Sequence, residues 1–141
     1  MNSIIIEKLK DDMPDLFYAH EGDAGIDCYA ADDFVINPLE TARIPLGIKI
    51  ELPKNKAAFV LPRSGLSSKL GLSAVTGLID NGYRGEISMI AHNISKNQVN
   101  IKKNDKICQL MIFDAPQCKI EYGRVSENTE RGDCGFGSTG V

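Results

Sequence analysis

The chain has 141 residues, of which 43% are hydrophobic and 25% are charged. This is the size and composition of one soluble globular domain, which excludes a disordered, collagen-like or disulfide-scaffold protein. Residues 1–42 carry ten acids and two bases, a net charge of −8, whereas residues 43–141 carry fourteen bases and nine acids, a net charge of +5. The basic residues are dispersed rather than clustered, so we expect no nucleic-acid partner.

The beginning of the chain bears on where the protein acts. Only three consecutive isoleucines, Ile4 to Ile6, precede the first charged residue, which is too few for the hydrophobic core of a secretory signal. No later apolar run approaches the about 20 residues that a membrane span requires. We therefore expect a cytoplasmic protein, or a nuclear one if the source is a eukaryote or a virus, with no membrane partner.

Apolar and polar residues alternate with a period of two along most of the chain, which predicts short strands. The unbroken alternation Ile44–Leu52 predicts one half-buried strand, and Glu86–Ala91 predicts another. The nearly continuous apolar runs Ala57–Leu61 and Ile107–Phe113 predict buried strands. Glycines and prolines separate these segments at short intervals, so the pattern favours an all-β sandwich or barrel.

Three segments depart from the strand pattern. Residues 64–72 predict one short helix of about two turns, with Ser64 as its N-terminal cap. The pair Asn81-Gly82 is a strong signal for a tight β-hairpin. The last sixteen residues are rich in glycine and poor in apolar side chains, so we predict a domain over residues 1–125 and a flexible arm over residues 126–141.

The cysteines and histidines give no metal-binding or catalytic spacing. The four cysteines, at positions 28, 108, 118 and 134, form no C-x-x-C pair. In the expected compartment we interpret them as reduced thiols that are packed in the core or lie on the surface. His20 and His92 are far apart in sequence, and each is interpreted as a surface or core residue rather than a ligand or base.

Four groups of residues favour the binding of a phosphorylated ligand. Asp23 and Asp27 lie four apart in a strand-like segment, which predicts two carboxylates on one side of a strand, suited to Mg²⁺ that also contacts phosphates. Arg63 precedes the predicted helix start, where free backbone N–H groups favour anions. Asp80 stands at a predicted turn, and Tyr83 follows it, an arrangement suited to holding water beside a sugar.

The fourth group lies in the glycine-rich arm. A glycine-rich backbone can turn several N–H groups toward an anion, and Ser138 and Thr139 add hydroxyl donors. Arg131 adds a planar guanidinium suited to phosphate. Phe136 stands between two glycines, where it could stack on a planar ligand. Such an arm could become ordered over a ligand that carries both a ring and phosphates.

Taken together, five segments resemble the five motifs of the homotrimeric dUTPase (dUTP diphosphatase) family. They appear in the order and spacing of that family and cover the chain from residue 23 to its end. The segments are DAGIDCYA (23–30), PRSGLS (62–67), GLIDNGYRGE (77–86), NDKICQL (104–110) and RGDCGFGSTG (131–140). Each segment alone is a weak signal, but five in order are specific.

The resemblance implies a fold, an assembly and a reaction. The fold is a distorted jelly-roll β-barrel with one short helix, and the assembly is a homotrimer whose three active sites lie between subunits. Motifs one, two and four come from one subunit, motif three from a second, and motif five from the third as an arm. The reaction is the Mg²⁺-assisted hydrolysis of dUTP to dUMP and pyrophosphate, in which water attacks the α-phosphorus. It limits uracil incorporation into DNA and supplies dUMP for thymidylate synthesis.

The resemblance also implies residue roles at matching positions. Asp80 orients and deprotonates the water and bonds the sugar, with Arg63 and Gln109 as the other catalytic residues. Asp27 holds Mg²⁺ through water. The phosphates are bound by Arg63, Ser64, Gly65, Gln109, Arg131, Ser138 and Thr139. The uracil and the deoxyribose are bound by Ala74, Gly77, Ile79, Asp80, Tyr83 and Phe136, the backbone of residues 74–79 being expected to form a hairpin.

Some positions depart from the family pattern, and alternatives stay open. Asn104, Lys106 and Cys108 stand where motif four usually has Gly, Arg and Ala, and Ala74 replaces an Asn found in many bacterial members. A dCTP deaminase shares the implied fold, although the Ile-Asp-Asn-Gly-Tyr context of Asp80 argues against it. A non-catalytic nucleotide-sensing or regulatory trimer is a second alternative. A purely structural jelly roll would leave the five motifs unexplained.

Overall fold

Strands account for almost all the regular structure in the computed structural model, which describes residues 3–140. Within that range there are eleven strands and one short π-helical turn, Leu66–Leu70. The strands are β1 (Ile5–Lys8), β2 (Gly25–Tyr29), β3 (Phe34–Ile36), β4 (Thr41–Pro45), β5 (Ile48–Glu51), β6 (Lys56–Pro62), β7 (Leu72–Val75), β8 (Gly77–Ile79), β9 (Ser88–Asn93), β10 (Val99–Ile101) and β11 (Lys106–Asp114).

The strands form four small antiparallel sheets that join distant parts of the chain. The larger two have the strand orders β2-β11-β6-β8 and β4-β9-β7, and the smaller two pair β1 with β5 and β3 with β10. The last strand, β11, lies between β2 and β6, so the C-terminal strand closes a sheet begun near the N-terminus. This architecture confirms the predicted all-β, jelly-roll-like fold.

The core forms where the predicted alternation places apolar side chains on one side of each strand. In the segment around β9, Ile87, Met89 and Ala91 are all at most 1% exposed. The runs predicted as buried strands lie within β6 and β11. Burial of each fully enclosed aliphatic side chain contributes about 2 kcal/mol, so these alternating rows supply much of the fold's stability.

The single strand predicted over Ile44–Leu52 is wrong. The chain forms β4 and β5 instead, and these belong to different sheets, with Leu46 and Gly47 between them. Gly47 has a φ of +68°, which turns the backbone out of one sheet and into the next. The alternating burial survives the turn because Leu46 and Ile48 both remain in the core. Periodicity therefore reported the buried side but not the change of sheet.

Gly47→Ala is expected to destabilise the fold strongly. A Cβ there would stand 2.4 Å from Met13 Sδ and 3.3 Å from Ala31 Cβ. The positive φ and the overcrowding together should cost about 3 kcal/mol. Urea unfolding gives the measurement, and Gly22→Ala is the matched control. Gly22 has a φ of +88° with nothing within 4 Å, so only the conformational cost of about 1 kcal/mol applies. Equal losses in both variants would contradict the crowding.

The β-hairpin predicted at Asn81-Gly82 is also wrong. The flanking strands β8 and β9 lie in different sheets, and neither Asn81 nor Gly82 has a positive φ, which a tight type I′ hairpin turn would require. The hairpin expected over residues 74–79 is absent for a similar reason, because β7 pairs with β9 whereas β8 pairs with β6. The chain changes sheet twice within these few residues.

The predicted short helix exists as the π-helical turn Leu66–Leu70, but Ser64 does not cap it. The N-terminal cap is Gly65, which has no side chain to accept a hydrogen bond, and Gly71 ends the turn at a φ of +70°. After β11, residues 115–140 form no strand or helix and are almost entirely exposed. The boundary at residue 125 stays a prediction. No helix within residues 3–140 is long and apolar enough to cross a membrane.

Candidate active site

A carboxylate and an amide stand opposite each other on the outer face of the largest sheet. In its register, Gln109 of β11 faces Asp27 of β2 on one side and Leu61 of β6 on the other. All three side chains are partly buried rather than enclosed. Because directly opposed residues of antiparallel strands point to the same face, this register places Asp27 and Gln109 side by side.

Two cations flank the Asp27 carboxylate. Arg63 follows the end of β6, and its Nη1 lies 3.7 Å from Asp27 Oδ1, while Lys106 Nζ lies 3.5 Å from Asp27 Oδ2. Lys106 reaches this face through a β-bulge, because the register shifts between Lys106 and Cys108. Without the extra residue Ile107, Lys106 would share the face of Cys108. The result is a cluster on the outer face with one carboxylate and two positive charges; Asp27, Arg63 and Lys106, with Gln109 beside them, form what we call the Asp27 corner.

Gly25 provides the space that the Gln109 side chain occupies. It lies two residues before Asp27 on the same face of β2, and a Cβ built on it would stand 2.4 Å from Gln109 Oε1 and 3.3 Å from its Cδ. A side chain cannot share that volume with the amide, so the absence of a Cβ at Gly25 fixes where Gln109 lies.

The inner face of the same strands is closed by two thiols. Cys28 and Cys108 are cross-strand neighbours, free and buried. The hydrogen bond with Cys28 and then burial raise the pKa of the Cys108 thiol far above its usual range, so it stays protonated and unreactive. Cys118 and Cys134 are free and exposed. Residues 3–140 contain no cluster of three or more His, Cys, Asp or Glu able to hold a metal ion.

Asp80 and Tyr83 lie in an exposed turn directly after β8. The turn is closed by a hydrogen bond of 3.1 Å from Tyr83 N–H to Asp80 O. Tyr83 Oη donates to Glu86 O at 3.1 Å. A Cβ on residue 85 would stand only 2.3 Å from this Oη, so a glycine at position 85 is needed for this ring position. A shallow cavity of about 210 Å³ is lined here by Arg43, Leu78, Ile79, Asp80, Tyr83, Glu86, Ile87, Ser88 and Ile90.

The strands assigned to base recognition both lie at sheet edges. Gly77 and Ile79 belong to β8, the edge of the four-stranded sheet, and Ala74 belongs to β7, the edge of the three-stranded sheet. An edge strand has backbone N–H and C=O groups that no neighbouring strand uses. Such groups can bind the polar rim of a planar ligand, even though the expected hairpin does not form.

The phosphate-binding residues predicted in the arm lie apart from both groups. Arg131 Nε donates to Cys134 O at 2.9 Å, and Ser138 N–H donates to Gly135 O at 3.1 Å, so the arm folds on itself in local turns. Ser138 and Thr139 line a small cavity within the arm, and Phe136 is fully exposed. No hydrogen bond or ion pair among residues 3–140 joins the arm to Asp80 or to the Asp27 corner.

The two predicted carboxylates of the metal side do not share a strand. Asp23 precedes β2, and its Oδ2 accepts hydrogen bonds from the His20 backbone N–H at 2.9 Å and lies 3.2 Å from the His20 ring. Asp23 therefore shapes a local turn, while Asp27 alone faces Arg63. Ser64 and Gly65 follow Arg63 directly in the chain, and their role at phosphates stays a prediction.

Sequence reasoning missed three residues. Lys106 was treated only as a departure from a motif, because the bulge that turns it toward Asp27 is invisible in the alternation. Gly25 is one of thirteen glycines, and nothing in the sequence distinguishes it from the others. Asn81 was interpreted as a turn former, whereas its side-chain amide donates to Pro53 O at 2.8 Å and Lys56 O at 3.0 Å. No sequence signal separates that use from ordinary turn preference.

Comparison with known proteins agrees with this geometry. A family model described as dUTPase matches residues 11–140. The deoxyuridine 5'-triphosphate nucleotidohydrolases of Clostridium novyi and Clostridium kluyveri are 40% and 45% identical, covering 98% and 89% of this chain and 99% and 89% of their own. The solved dUTPase of Staphylococcus bacteriophage 80alpha with dUpNHpp has a TM-score of 0.92 at 27% identity, with both chains fully covered.

The fold and the comparisons together define an all-β nucleotide hydrolase of the jelly-roll class. Within that class, the match over nearly the whole chain is to one family, and the predicted motifs lie inside it. The chain belongs to the dUTPase family.

Proposed function

We propose that this protein hydrolyses dUTP to dUMP and pyrophosphate; its curated relatives are named deoxyuridine 5'-triphosphate nucleotidohydrolases. The observation that carries the proposal is the outer corner of the largest sheet. There Asp27, Gln109 and Arg63 meet, which puts a carboxylate, an amide and a guanidinium beside each other. A polyphosphate chain needs this combination of positive charge, neutral donors and a metal-binding carboxylate.

In the proposed reaction Asp80 is the general base. Its carboxylate accepts a proton from a water molecule while the water oxygen bonds to the α-phosphorus. The bond from that phosphorus to the bridging oxygen breaks, and the electron pair leaves with pyrophosphate. Arg63, Gln109 and the backbone at Ser64 and Gly65 hold the phosphates. The chain's contribution is mainly positioning and neutralisation of charge, as in other phosphoryl-type transfers.

Mg²⁺ fits the corner as a partner of the substrate. Mg²⁺ typically keeps several waters and binds through one or two carboxylates plus phosphate oxygens. Asp27 supplies one carboxylate, and the absence of a larger acidic cluster in residues 3–140 suits a metal that arrives with the triphosphate. When bound, the ion neutralises phosphate charge. Arg63 and Lys106 hold the Asp27 carboxylate in place on the protein side.

A homotrimer with shared sites accounts for the separation of the three groups. In the proposed assembly the corner, the Asp80 turn and the arm come from three different subunits. Two features support it: the arm makes only local hydrogen bonds, and the segment before it leaves Ile120, Tyr122 and Val125 at least 80% exposed. Three exposed apolar side chains within six residues suit a segment that packs on a partner surface. In this assembly Arg131, Ser138 and Thr139 bind the outer phosphates.

Selectivity for a deoxyuridine follows from the Tyr83 turn and the two edge strands. The Tyr83 ring packs against the deoxyribose and leaves no space for a 2′-hydroxyl. The backbone of Ala74, Gly77 and Ile79 bonds the polar rim of uracil. Phe136 covers the other face of the base when the arm closes. The Phe136 ring is fully exposed in the single chain, so it is free to make this contact.

One assay tests the proposal directly. Pyrophosphate release is measured with dUTP, dCTP, dTTP and UTP at equal concentration in the presence of Mg²⁺. We expect dUTP to be hydrolysed with a kcat/KM at least about 100-fold above the others. Ammonia release from dCTP would point to the deaminase alternative, and the absence of turnover with tight dUTP binding would point to a sensor. Either result would overturn the proposed reaction.

Gly25→Ala is expected to reduce kcat/KM for dUTP by about tenfold to 100-fold, because the new methyl displaces the Gln109 amide from the phosphates. The measurement is steady-state pyrophosphate release. Gln109→Ala and the double variant form the control. If Gly25 acts only through Gln109, the double variant should match Gln109→Ala within about twofold. A further loss in the double variant would mean that Gly25 has a different role.

A further inference from the structure

We propose that the Asn81 side chain is the anchor that positions the neighbouring carboxylate of Asp80, a role that rests on the proposed dUTP hydrolysis. Asp80 is the first residue after β8, a strand of three residues at a sheet edge. Its side chain is exposed and forms no hydrogen bond or ion pair with any residue in 3–140. A general base must be held within hydrogen-bonding reach of its water, so another group has to fix this turn.

Asn81 fastens the turn to the body of the protein. Its Nδ2 donates to Pro53 O at 2.8 Å and to Lys56 O at 3.0 Å, with Leu52 O at 3.5 Å. These carbonyls belong to the β5–β6 turn, which is closed by Lys56 N–H donating to Pro53 O at 3.2 Å. The two short bonds use both hydrogens of the amide.

The β5–β6 turn, which receives the amide, is itself attached to β11. Ala115 N–H, just after β11, donates to Asn55 O at 2.9 Å, which ties the β5–β6 turn to the end of the central strand. Asn81 therefore connects the Asp80 turn to a frame built from β5, β6 and β11. Because Asn81 is adjacent to Asp80, the frame also determines where the Asp80 carboxylate lies.

The remaining hydrogen bonds of the Asp80 turn are local. Tyr83 N–H donates to Asp80 O, and Arg84 Nη1 donates to Asn81 O at 2.8 Å and to Tyr83 O at 3.1 Å. They shape the turn without attaching it to anything else. Tyr83 Oη donates to Glu86 O at 3.1 Å, which reaches only two residues beyond the turn. Among the hydrogen bonds of residues 3–140, those from the Asn81 amide are therefore the ones that link residues 80–84 to a segment distant in sequence.

The residue type matches the anchoring role better than a conformational one. Asparagine is favoured in turns because it tolerates a positive φ, but Asn81 has none. Its surroundings are carbonyl oxygens, which accept hydrogen bonds and cannot donate them. A primary amide satisfies them with two N–H groups. An aspartate of the same shape would instead place a negative charge against those oxygens.

The experiment compares Asn81→Ala and Asn81→Asp with the wild-type chain. We expect both variants to lower kcat for dUTP by about tenfold to 100-fold, with KM changed less than about threefold, because a carboxylate misplaced by about 1 Å loses this much. Hydrogen exchange at the Tyr83 amide, without substrate, should accelerate about tenfold or more, while β11 amides keep their protection. Asn37→Ala is the matched control: Asn37 is an exposed asparagine in the β3–β4 turn whose Nδ2 donates to Glu40 Oε1 at 3.1 Å, and it takes no part in holding the Asp80 turn. It should lose a little stability and keep kcat.

Two further results separate positioning from structure. In an Asp80→Asn background, measured in single turnovers with excess enzyme, Asn81→Ala should slow hydrolysis less than about twofold, because the group it positions is gone. A full additional loss there, unchanged exchange at Tyr83, or a kcat loss no larger than that of Asn37→Ala would overturn the anchor. The wild-type chain could fail to hydrolyse dUTP while Asn81→Ala still accelerates exchange at the Tyr83 amide. That pair of results would support the anchor and overturn the proposed function.

Discussion

Asp80→Asn should remove nearly all dUTP hydrolysis while leaving dUTP binding intact. The amide keeps the size and the hydrogen bond to the sugar but cannot accept a proton from water, so we expect kcat to fall about 10³-fold. The side chain is exposed and has no partner in residues 3–140, so the free energy of unfolding should change by less than about 0.5 kcal/mol. Pyrophosphate release gives kcat, and calorimetric titration with the non-hydrolysable dUpNHpp gives the affinity.

The control for this variant is Asp114→Asn. Asp114 ends β11 and pairs with Lys56, and it lies outside the proposed site. An exposed ion pair of this kind contributes less than about 1 kcal/mol, so its loss should leave kcat unchanged. If Asp80→Asn kept kcat within about tenfold of wild type, Asp80 would not be the base, because a positioned base contributes more than that.

Removing residues 127–141 should leave a folded protein that hydrolyses dUTP poorly. No strand includes a residue of 127–140, and the hydrogen bonds of these residues are local, so urea unfolding of the body should be unchanged within about 0.5 kcal/mol. Without Arg131, Ser138 and Thr139 to close over the phosphates, kcat/KM should fall about 100-fold or more. Full activity of the truncated chain would contradict the proposed closure.

Mixing the two inactive variants tests the shared site itself. Trimers assembled from Asp80→Asn subunits and arm-deleted subunits contain some sites with an intact Asp80 from one chain and an intact arm from another. Activity should therefore return on mixing after unfolding and refolding together. No recovery in the mixture would place the whole site within one chain.

Phe136→Ala is the milder arm variant. It is expected to raise KM because only the contact with the base is lost.

Much of the fold was predictable because burial leaves a period-two trace in the sequence. The rows at Ile87, Met89 and Ala91 and the apolar runs of β6 and β11 follow directly from it. This alternation indicates which side chains are buried, but it does not indicate which strand pairs with which. Hence Ile44–Leu52 was predicted as one strand, although Gly47 divides it between two sheets.

The candidate site was predictable in part: the structure brings Arg63 beside Asp27, whereas the role of Asp80 stays a prediction. It was not predictable where geometry depends on a local irregularity. The bulge at Ile107 brings Lys106 to Asp27, and the missing Cβ of Gly25 makes space for Gln109. Both follow from pairing between β2 and β11, which are about 80 residues apart in the chain. Motif matching identified the positions, and only the register explained them.

The free edges of β7 and β8 have a consequence for solubility. An unpaired strand edge can recruit an edge of another molecule, which is a common route to aggregation. Here the two exposed edges are four and three residues long, and the chain leaves the sheet at both ends of β8. Edges this short can bond a base but offer little length to a second strand. A variant that extended β8 past Asp80 would lose the turn that holds Asp80 and gain a longer unpaired edge. The short strand therefore limits aggregation and also preserves the proposed site.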